Sequence, residues 1–279
     1  MHERSPKNTV AIWSDAALEA TEFLHAEYRQ MTFAPHVHAG FAIGVIESGG
    51  QWFRPAKRDA VVMPEGTLCV INPWTLHDGH GADQRGWRYR MFCPSEAVVA
   101  RALADCADGG PAALGHFEGH VIHDAVLYRR FVLLHEASRV HHPLLERQSW
   151  QLLFLKQLFT RHAWGVLPAE PVACSTAAAR VREYLHAHWC DKISTEDLTR
   201  LAGVSETHAI RSFTRWVGMP PHAYLLGVKV EKAKALLLRG TSLSEVALSA
   251  GFADQSHFTR HFKRTTGQTP GQYACAARA

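Results

Sequence analysis

Cysteine is scarce in this sequence, and none of it is arranged as a disulfide frame or a zinc site. The six cysteines are scattered over 279 residues, and no two stand in the C-x-x-C spacing that zinc sites and redox motifs use. Disulfide-rich domains belong to oxidising compartments, whereas isolated cysteines are typical of reducing ones. The pattern therefore predicts reduced thiols and a cytoplasmic protein.

Long hydrophobic runs are also missing. A membrane-spanning helix needs about 20 consecutive apolar residues, and no stretch of the sequence approaches that length. The segment from Met1 to Val10 is charged and lacks the apolar core of a signal peptide. We therefore expect no membrane among the partners.

Net charge is small for the whole chain but unevenly distributed. Residues 176–279 contain 14 Lys and Arg against 8 Asp and Glu, whereas residues 1–175 contain 16 against 18. A basic C-terminal third, with the rest of the chain near neutral, favours binding to nucleic acid. Since domains average about 150 residues, we predict two: 1–165 and 176–279, joined by a linker over 166–175.

The first domain is predicted to be built from short antiparallel strands. The apolar run Phe41–Ile46 is followed by Ser48-Gly49-Gly50, which predicts a hairpin turn that leads the chain back through residues 51–53. Further strands are expected at residues 61–63, 68–71 and 87–92. Strands this short, separated by Gly and Pro, favour a sandwich or small barrel.

Helical periodicity takes over after the strands. Apolar residues recur at helical spacing in residues 96–103 and 124–164, and His142-Pro143 divides the second stretch into two helices. These helices are expected to cover either the barrel or a second subunit, or both.

The last third contains an internal repeat. Two glycines, Gly203 and Gly251, are 48 residues apart, and the pairs that follow them are 49 apart, so the one-residue difference falls in a turn. The pairs separated by 49 are Arg211/Arg260, Phe213/Phe262, Gly218/Gly267, Pro221/Pro270 and Tyr224/Tyr273.

Each copy has the pattern of a helix-turn-helix unit. A helix ends at the glycine, a short turn follows, and Ser205 or Asp254 is placed to cap the second helix. That second helix buries one apolar pair at i, i+4 in each copy. The helix expected between the copies, residues 221–238, is about 25 Å long at 1.5 Å per residue, a suitable length to hold two recognition helices one DNA turn apart. The buried pairs are Ala209 with Phe213, and Phe258 with Phe262.

The polar face of each second helix suits base reading in the major groove. An ordinary helical bundle with a solvated polar face is the alternative, and the duplication favours DNA. The face carries Glu206, Thr207, Ile210, Arg211 and Thr214 in the first copy, and Gln255, Ser256, Thr259, Arg260 and Lys263 in the second.

Residues 176–273, and above all the segment from Gly251 to Tyr273, resemble the DNA-binding domain of the AraC/XylS family of bacterial transcription regulators. The resemblance implies two helix-turn-helix units that read successive major-groove segments. The first unit departs from the family pattern, because Ala209 is small and Ile210 offers no hydrogen bond; Ile210 meets either a thymine methyl or nothing. The implied base contacts are Thr207, Ile210, Arg211, Gln255, Ser256, Thr259 and Arg260.

Residues 33–94 resemble the cupin-type effector domain that precedes this module in AraC regulators, a small antiparallel barrel with an interior pocket. His36 and His38 stand two apart, so on a strand they point to one face, and His77 from a later strand would join them. Catalytic cupins carry a carboxylate about four residues after such a pair, where this sequence has Ala42 and Ile43. The missing carboxylate therefore favours pocket-lining or structural histidines over a metal site, which stays open as the less favoured alternative, and no cofactor is expected.

Alternation along the strand at residues 41–47 predicts that Glu47 lies at the mouth of an apolar pocket. Trp87 and Tyr89 are expected on one face of the last strand, so both are taken as effector-binding residues with His36, His38, Glu47 and His77. A carboxylate among aromatic rings would favour a cationic or polyhydroxy effector.

The expected fold class is α+β: a cupin-like antiparallel barrel with flanking helices, followed by an all-α double helix-turn-helix domain. The expected function is transcription regulation under the control of an effector, without enzymatic activity. Activation is favoured over repression. Double-stranded DNA, a small-molecule effector and RNA polymerase are the expected partners, and a homodimer is left open. The alternatives are a metal-dependent cupin enzyme with a DNA-targeting module and an effector-independent regulator whose barrel only dimerises.

Overall fold

The computed structural model describes residues 8–56, 59–104, 114–140, 142–164, 176–191 and 193–276. The predicted linker, 166–175, lies outside the described residues, so the domain boundaries stay predictions. The strands are β1 (Thr9–Asp15), β2 (Thr21–Tyr28), β3 (Thr32–His36), β4 (Ala42–Pro55), β5 (Val61–Pro64), β6 (Leu68–Ile71), β7 (His77–Gly81), β8 (Trp87–Cys93) and β9 (Val121–Ile122). The helices are α1 (Glu96–Ala104), α2 (Ala125–Arg139), α3 (Leu144–His162), α4 (Thr176–Ala187), α5 (Thr195–Ala202), α6 (Glu206–Val217), α7 (Pro221–Leu238), α8 (Leu243–Ser249), α9 (Gln255–Thr266) and α10 (Pro270–Ala276).

The strands form two antiparallel layers that share the long strand β4. Its first half pairs with β8 and β6 in the order β1-β2-β8-β4-β6-β9, and its second half pairs with β5 and β7, with β3 beyond β7. The sheet therefore folds over itself as a flattened barrel. The predicted fold class, α+β with helical units after an antiparallel sheet, is confirmed.

The predicted hairpin at Ser48-Gly49-Gly50 is wrong. Strand β4 continues through these residues, and its pairing with β8 shifts register between Ile46 and Ser48. A Cβ on Gly49 would lie 2.3 Å from the carbonyl oxygen of Gly86. The glycines thus mark a bulge where β4 crosses between the layers and touches another backbone closely, as glycine in a strand often does.

Helices α1 to α3 cover one face of the sheet of the same chain, as one of the predicted alternatives has it, and whether they also meet a second subunit stays a prediction. Their apolar sides form one core with the sheet residues beneath them. That core removes large aliphatic and aromatic side chains from water and is the main stabilising contribution in this domain. Among its members are Phe23, Phe41, Ile43, Val45 and Phe92 from the sheet and Phe131, Leu134, Phe154, Leu155 and Phe159 from the helices.

The C-terminal helices form the predicted pair of helix-turn-helix units, α5–α6 and α8–α9. Ser205 and Asp254 cap α6 and α9: their side-chain oxygens accept from the backbone N–H groups of His208 at 3.4 Å and His257 at 2.7 Å. The predicted apolar pairs of both second helices are buried. Helix α7 occupies the predicted span between the units. Within the described ranges, no helix combines the length and apolarity that crossing a membrane requires.

Both helix-turn-helix units pack on the sheet domain. Val37 and Leu76 enter the core of the first unit, beside Val228 of α7. Ile12 of β1 enters the core of the second unit, beside Phe258. The two domains therefore share their apolar cores at two points, with α7 between them.

We expect Gly267→Ala to lower the melting temperature more than Gly203→Ala. Both glycines end a helix at positive φ, +81° and +66°, where alanine costs about 1–2 kcal/mol. A Cβ on Gly267 would also lie 3.0 Å from Tyr28 Oη and 3.1 Å from Met31 Cε and Phe33 Cε1, whereas Gly203 has open space. Thermal unfolding checks this, and equal losses would contradict the contact between α9 and the sheet domain.

Candidate ligand cavity and nucleic-acid interface

A cavity of about 380 Å³ lies between the sheet domain and the helix-turn-helix domain, within the size range of small-molecule sites. Strand residues form its floor, and α7, α9 and α10 close it from the other side. Its walls are mostly apolar and include Phe33, Ile46, Met63, Tyr89 and Met91.

Most of the predicted pocket residues are brought together here. His36, His38, His77 and Tyr89 line the cavity. Trp87 is buried on the same face of β8 and stacks on Tyr89 with ring centroids 6.2 Å apart, but it lies behind the cavity wall. Their role in binding an effector stays a prediction.

The three histidines form one cluster. Their ring centroids are 4.2 to 5.2 Å apart, and one potential ligand atom from each lies within 4.8 Å of the others. His36 Nδ1 and His77 Nδ1 are each 2.8 Å from a backbone carbonyl, of Ala34 and Thr75. Burial, and then the neighbouring histidines, lowers the pKa of His36 well below its usual value and that of His77 to about 3, so both rings are neutral at pH 7.

The predicted position of Glu47 at the pocket mouth is wrong. Its carboxylate lies 2.8 Å from His25 Nε2 and accepts hydrogen bonds from Arg88 Nε at 3.0 Å and Arg90 Nε at 2.5 Å. Burial opposes ionisation of this carboxyl, but the bonds from His25 and Arg90 outweigh it and lower the pKa of Glu47 to about 2. Arg90 also binds Glu136 of α2, so Glu47 helps to fasten the sheet to its helical cover.

The error comes from the alternation of β4. Ile43 and Val45 face the helical cover, and Glu47 follows them with the same parity. Ala42 and Ile46, the other parity, pack with Tyr89 on the cavity side. The sequence shows the alternation but not which face receives the helices.

Three charged residues of the cavity were missed by sequence reasoning. Lys234 Nζ of α7 lies 3.3 Å from Glu231 of the same helix and 3.8 Å from Glu22 of β2, and the hydroxyl of Tyr273 donates to Glu22. Burial opposes both charges, but Lys234 and His38 still lower the pKa of Glu231 to about 2, and the two carboxylates raise that of Lys234. The available signal was a charged residue, Glu231, at helical spacing from buried apolar residues of α7.

The predicted base-reading residues lie on α6 and α9, in corresponding positions of the two units. Arg211, Gln255, Ser256 and Arg260 are exposed, whereas Ile210 and Thr259 are half-buried. The side chain of Thr207 lies outside the described part of the chain. Exposed cations that were not predicted as contacts stand further along the same helices: Arg215 on α6, and Lys263, which was noted on the polar face, and Arg264 on α9.

Comparisons with known proteins give the same two-part organisation. A family model described as an AraC-like ligand binding domain matches residues 20–154, and one described as a helix-turn-helix domain matches residues 198–275. YbfI of Bacillus subtilis, named as an uncharacterized HTH-type transcriptional regulator, is 29% identical over 245 residues, 86% of this chain and 88% of that protein. The HTH-type transcriptional regulator MtrA of Neisseria gonorrhoeae is 39% identical over 85 residues, 30% of this chain and 28% of that protein.

Solved structures show the same fold over nearly the whole chain. ToxT from Vibrio cholerae O395, bound to (E)-4-(8-methylnaphthalen-1-yl)but-3-enoic acid, aligns with a TM-score of 0.61 at 12% identity, over 97% of this chain and 98% of that one. ToxT from Vibrio cholerae strain SCE256, bound to an unsaturated fatty acid, aligns with a TM-score of 0.58 at 11% identity, over 99% and 98%.

We expect Lys234→Met to destabilise the protein strongly, by about 3–5 kcal/mol, because it leaves two largely desolvated carboxylates, of Glu22 and Glu231, without their counter-ion. Lys232→Met is the matched control, since Lys232 is an exposed lysine of the same helix. Urea unfolding at neutral pH measures both variants. Equal stability of the two would show that the buried cluster contributes little to the contact between the domains.

Proposed function

Because the chain belongs to the AraC family of helix-turn-helix transcriptional regulators, with a ligand-binding domain before the helix-turn-helix domain, we propose that it activates transcription from specific DNA sites under the control of a small-molecule effector. The observation that carries the proposal is a cavity with walls from both domains. Contact with RNA polymerase is part of the proposed activation, and enzymatic activity is not.

A cavity shared between domains satisfies the requirement for ligand control. A ligand shifts a conformational equilibrium only when it binds one arrangement more tightly than another. His36 and Tyr89 belong to the sheet domain, whereas Glu231, Lys234 and Thr265 belong to the helix-turn-helix domain. An effector that contacts residues of both domains loses or gains contacts when the domains move. Its binding therefore favours one position of α6 and α9 relative to the sheet domain.

The DNA contacts divide into two kinds. We propose that the predicted set on α6 and α9 reads base edges, with Arg211 and Arg260 as the strongest candidates, since arginine binds guanine through two hydrogen bonds. The exposed Arg215, Lys263 and Arg264 stand further along the same helices and suit phosphate contacts, which position a protein without reading sequence.

The charge of the cavity favours a neutral or cationic effector. Two carboxylates, Glu22 and Glu231, face the single ammonium group of Lys234, and a buried unpaired charge is costly. A fatty acid of the kind bound in a ToxT structure would bring a third negative charge to Lys234, which is already paired with Glu22 and Glu231. The predicted cationic or polyhydroxy effector is therefore retained, with Glu22 and Glu231 in place of Glu47.

We also propose that the chain forms a homodimer through the outer side of α2 and α3. Both helices and the C-terminal cap of α2 expose a group of aliphatic residues, although α2 and α3 also bury apolar residues on the sheet. A contiguous exposed apolar patch is typical of an interaction site. The group consists of Leu133, Val140, Leu144, Leu145, Leu152 and Leu153.

The proposed function is tested by fluorescence anisotropy of the full chain on its own upstream intergenic DNA and on scrambled DNA, at two salt concentrations. We expect selective binding that weakens steeply with salt. Arg260→Ala should lose about 1–3 kcal/mol of binding free energy if it contacts a base. Arg200→Ala, an exposed arginine of α5, is the control. Equal affinity for both DNAs at both salts, with and without candidate effectors, would contradict sequence-specific regulation.

The dimer is tested by sedimentation velocity. Leu145 is 76% exposed on α3, and we expect Leu145→Glu to convert the dimer to a monomer, because a charge on an apolar contact must be desolvated. Leu248→Glu is the control, since Leu248 is 79% exposed on α8 of the other domain. A wild-type monomer at all concentrations would reject this surface.

A further inference from the structure

Three imidazole rings converge beneath α7. His36 ends β3, His38 follows it two residues later, and His77 begins β7. Strands β3 and β7 are paired with His36 opposite His77, so the backbone register itself brings these two rings together. His36 and His77 are both buried.

The hydrogen bonds of the rings determine which nitrogen is available. His36 Nδ1 and His77 Nδ1 face the carbonyl oxygens of Ala34 and Thr75 at 2.8 Å, and an acceptor there requires each Nδ1 to carry the proton. Nε2 then carries the lone pair in both rings. Histidines that bind metals are held in the same way, by a carbonyl or carboxylate on the nitrogen opposite the metal.

The carboxylate that the sequence lacks next to these histidines comes from the other domain. Glu231 Oε1 lies 3.7 Å from His38 Nδ1 and 3.3 Å from Lys234 Nζ. This oxygen is buried and, among the described residues, receives no hydrogen bond of normal geometry. A small approach of His38 would satisfy it with the Nδ1–H proton and leave Nε2 of His38 for a metal ion.

We propose that His36, His38 and His77 bind a divalent transition-metal ion of the zinc type through Nε2, and that Glu231 of α7 holds His38 in the binding orientation from the helix-turn-helix domain. Imidazole nitrogens suit zinc and its neighbours better than magnesium or calcium, which prefer oxygen ligands. A tetrahedral zinc site with Zn–N bonds of about 2.1 Å has ligand atoms about 3.4 Å apart. One ring nitrogen from each histidine already lies within 4.8 Å of the others, so the site requires only an adjustment of the side chains.

The site would connect metal binding to the position of the DNA-reading helices. Three protein ligands leave a fourth position, and because all three histidines line the cavity, a water or an effector donor atom can take it. Since Glu231 belongs to α7, metal affinity depends on the contact between the domains. The effect on DNA binding rests on the proposed function, but metal binding itself does not.

The test uses the full chain, stripped with a chelator and titrated with Co²⁺, followed by its visible absorption, and with Zn²⁺ by calorimetry. We expect one ion per chain, and no stoichiometric binding in His77→Ala or His38→Gln. The second variant is included because the side chain of His38 is partly exposed, so that its replacement disturbs folding less. Glu231→Gln should bind about 10–100-fold more weakly, as expected for a group that orients a metal ligand. His80→Ala is the control, because His80 lies on β7 but stacks on Trp52 outside the cluster.

Thermal unfolding of each variant separates loss of the site from loss of the fold. Absence of stoichiometric binding in the wild type, or wild-type affinity in a folded His77→Ala or His38→Gln variant, would overturn the metal site. Wild-type affinity in Glu231→Gln would overturn the role of the helix-turn-helix domain. DNA binding by the stripped and the zinc-loaded chains is measured by fluorescence anisotropy, independently of the metal titration. Failure to bind DNA in both states therefore counts against the proposed regulator and leaves the titration as the measure of the site.

Discussion

A charge that is taken out of water must find a partner, and this requirement governs the contact between the two domains. Helix α7 places Glu231 and Lys234 against the sheet domain, where Lys234 meets Glu22 and Glu231 approaches His38. Each contact crosses from one domain to the other. The domains cannot separate at this point without exposing an apolar interface and breaking ion pairs together.

The same contact explains why the mostly apolar cavity contains charged groups and why both domains form its walls. Apolar packing holds the domains on either side of it, through Val37 and Leu76 at the first unit and Ile12 at the second. Between these points lies the cavity, whose lining includes Glu231 and Lys234 of α7 together with Tyr89. A ligand in that space competes with existing pairings, so the energetic effect of binding arises at the contact that sets the domain arrangement.

Local features were predictable from the sequence because they depend on neighbouring residues. The caps at Ser205 and Asp254, the bounds of α7 and the helix break at His142-Pro143 follow from short-range steric and hydrogen-bonding rules, and all are present. The cavity was only partly predictable. The parity of β4, and with it the position of Glu47, depends on which sheet face receives α2 and α3, which no local pattern records.

The acidic partners of the cavity were hidden for a related reason. Glu22 and Glu231 are separated by most of the chain and meet only when the second domain docks on the first. A motif search within one domain therefore finds the histidines without the carboxylate that approaches them. The carboxylate missing after the His-x-His pair is absent from β4, but in the folded chain α7 brings another carboxylate, Glu231, to within 3.7 Å of His38.

The way the two reading helices meet the sheet domain gives the proposed mechanism its mechanical basis. Gly218 at the end of α6 lies against Leu76, and Gly267 at the end of α9 lies against Phe33. Both helices are thus held at their C-terminal ends, whereas their N-terminal halves, which enter the groove in helix-turn-helix proteins, point away from these contacts. Phe33 also lines the cavity. Under the proposed mechanism, a ligand that displaces this wall would act on the held end of α9 and change the angle between α9 and α6, without touching a residue proposed to read DNA.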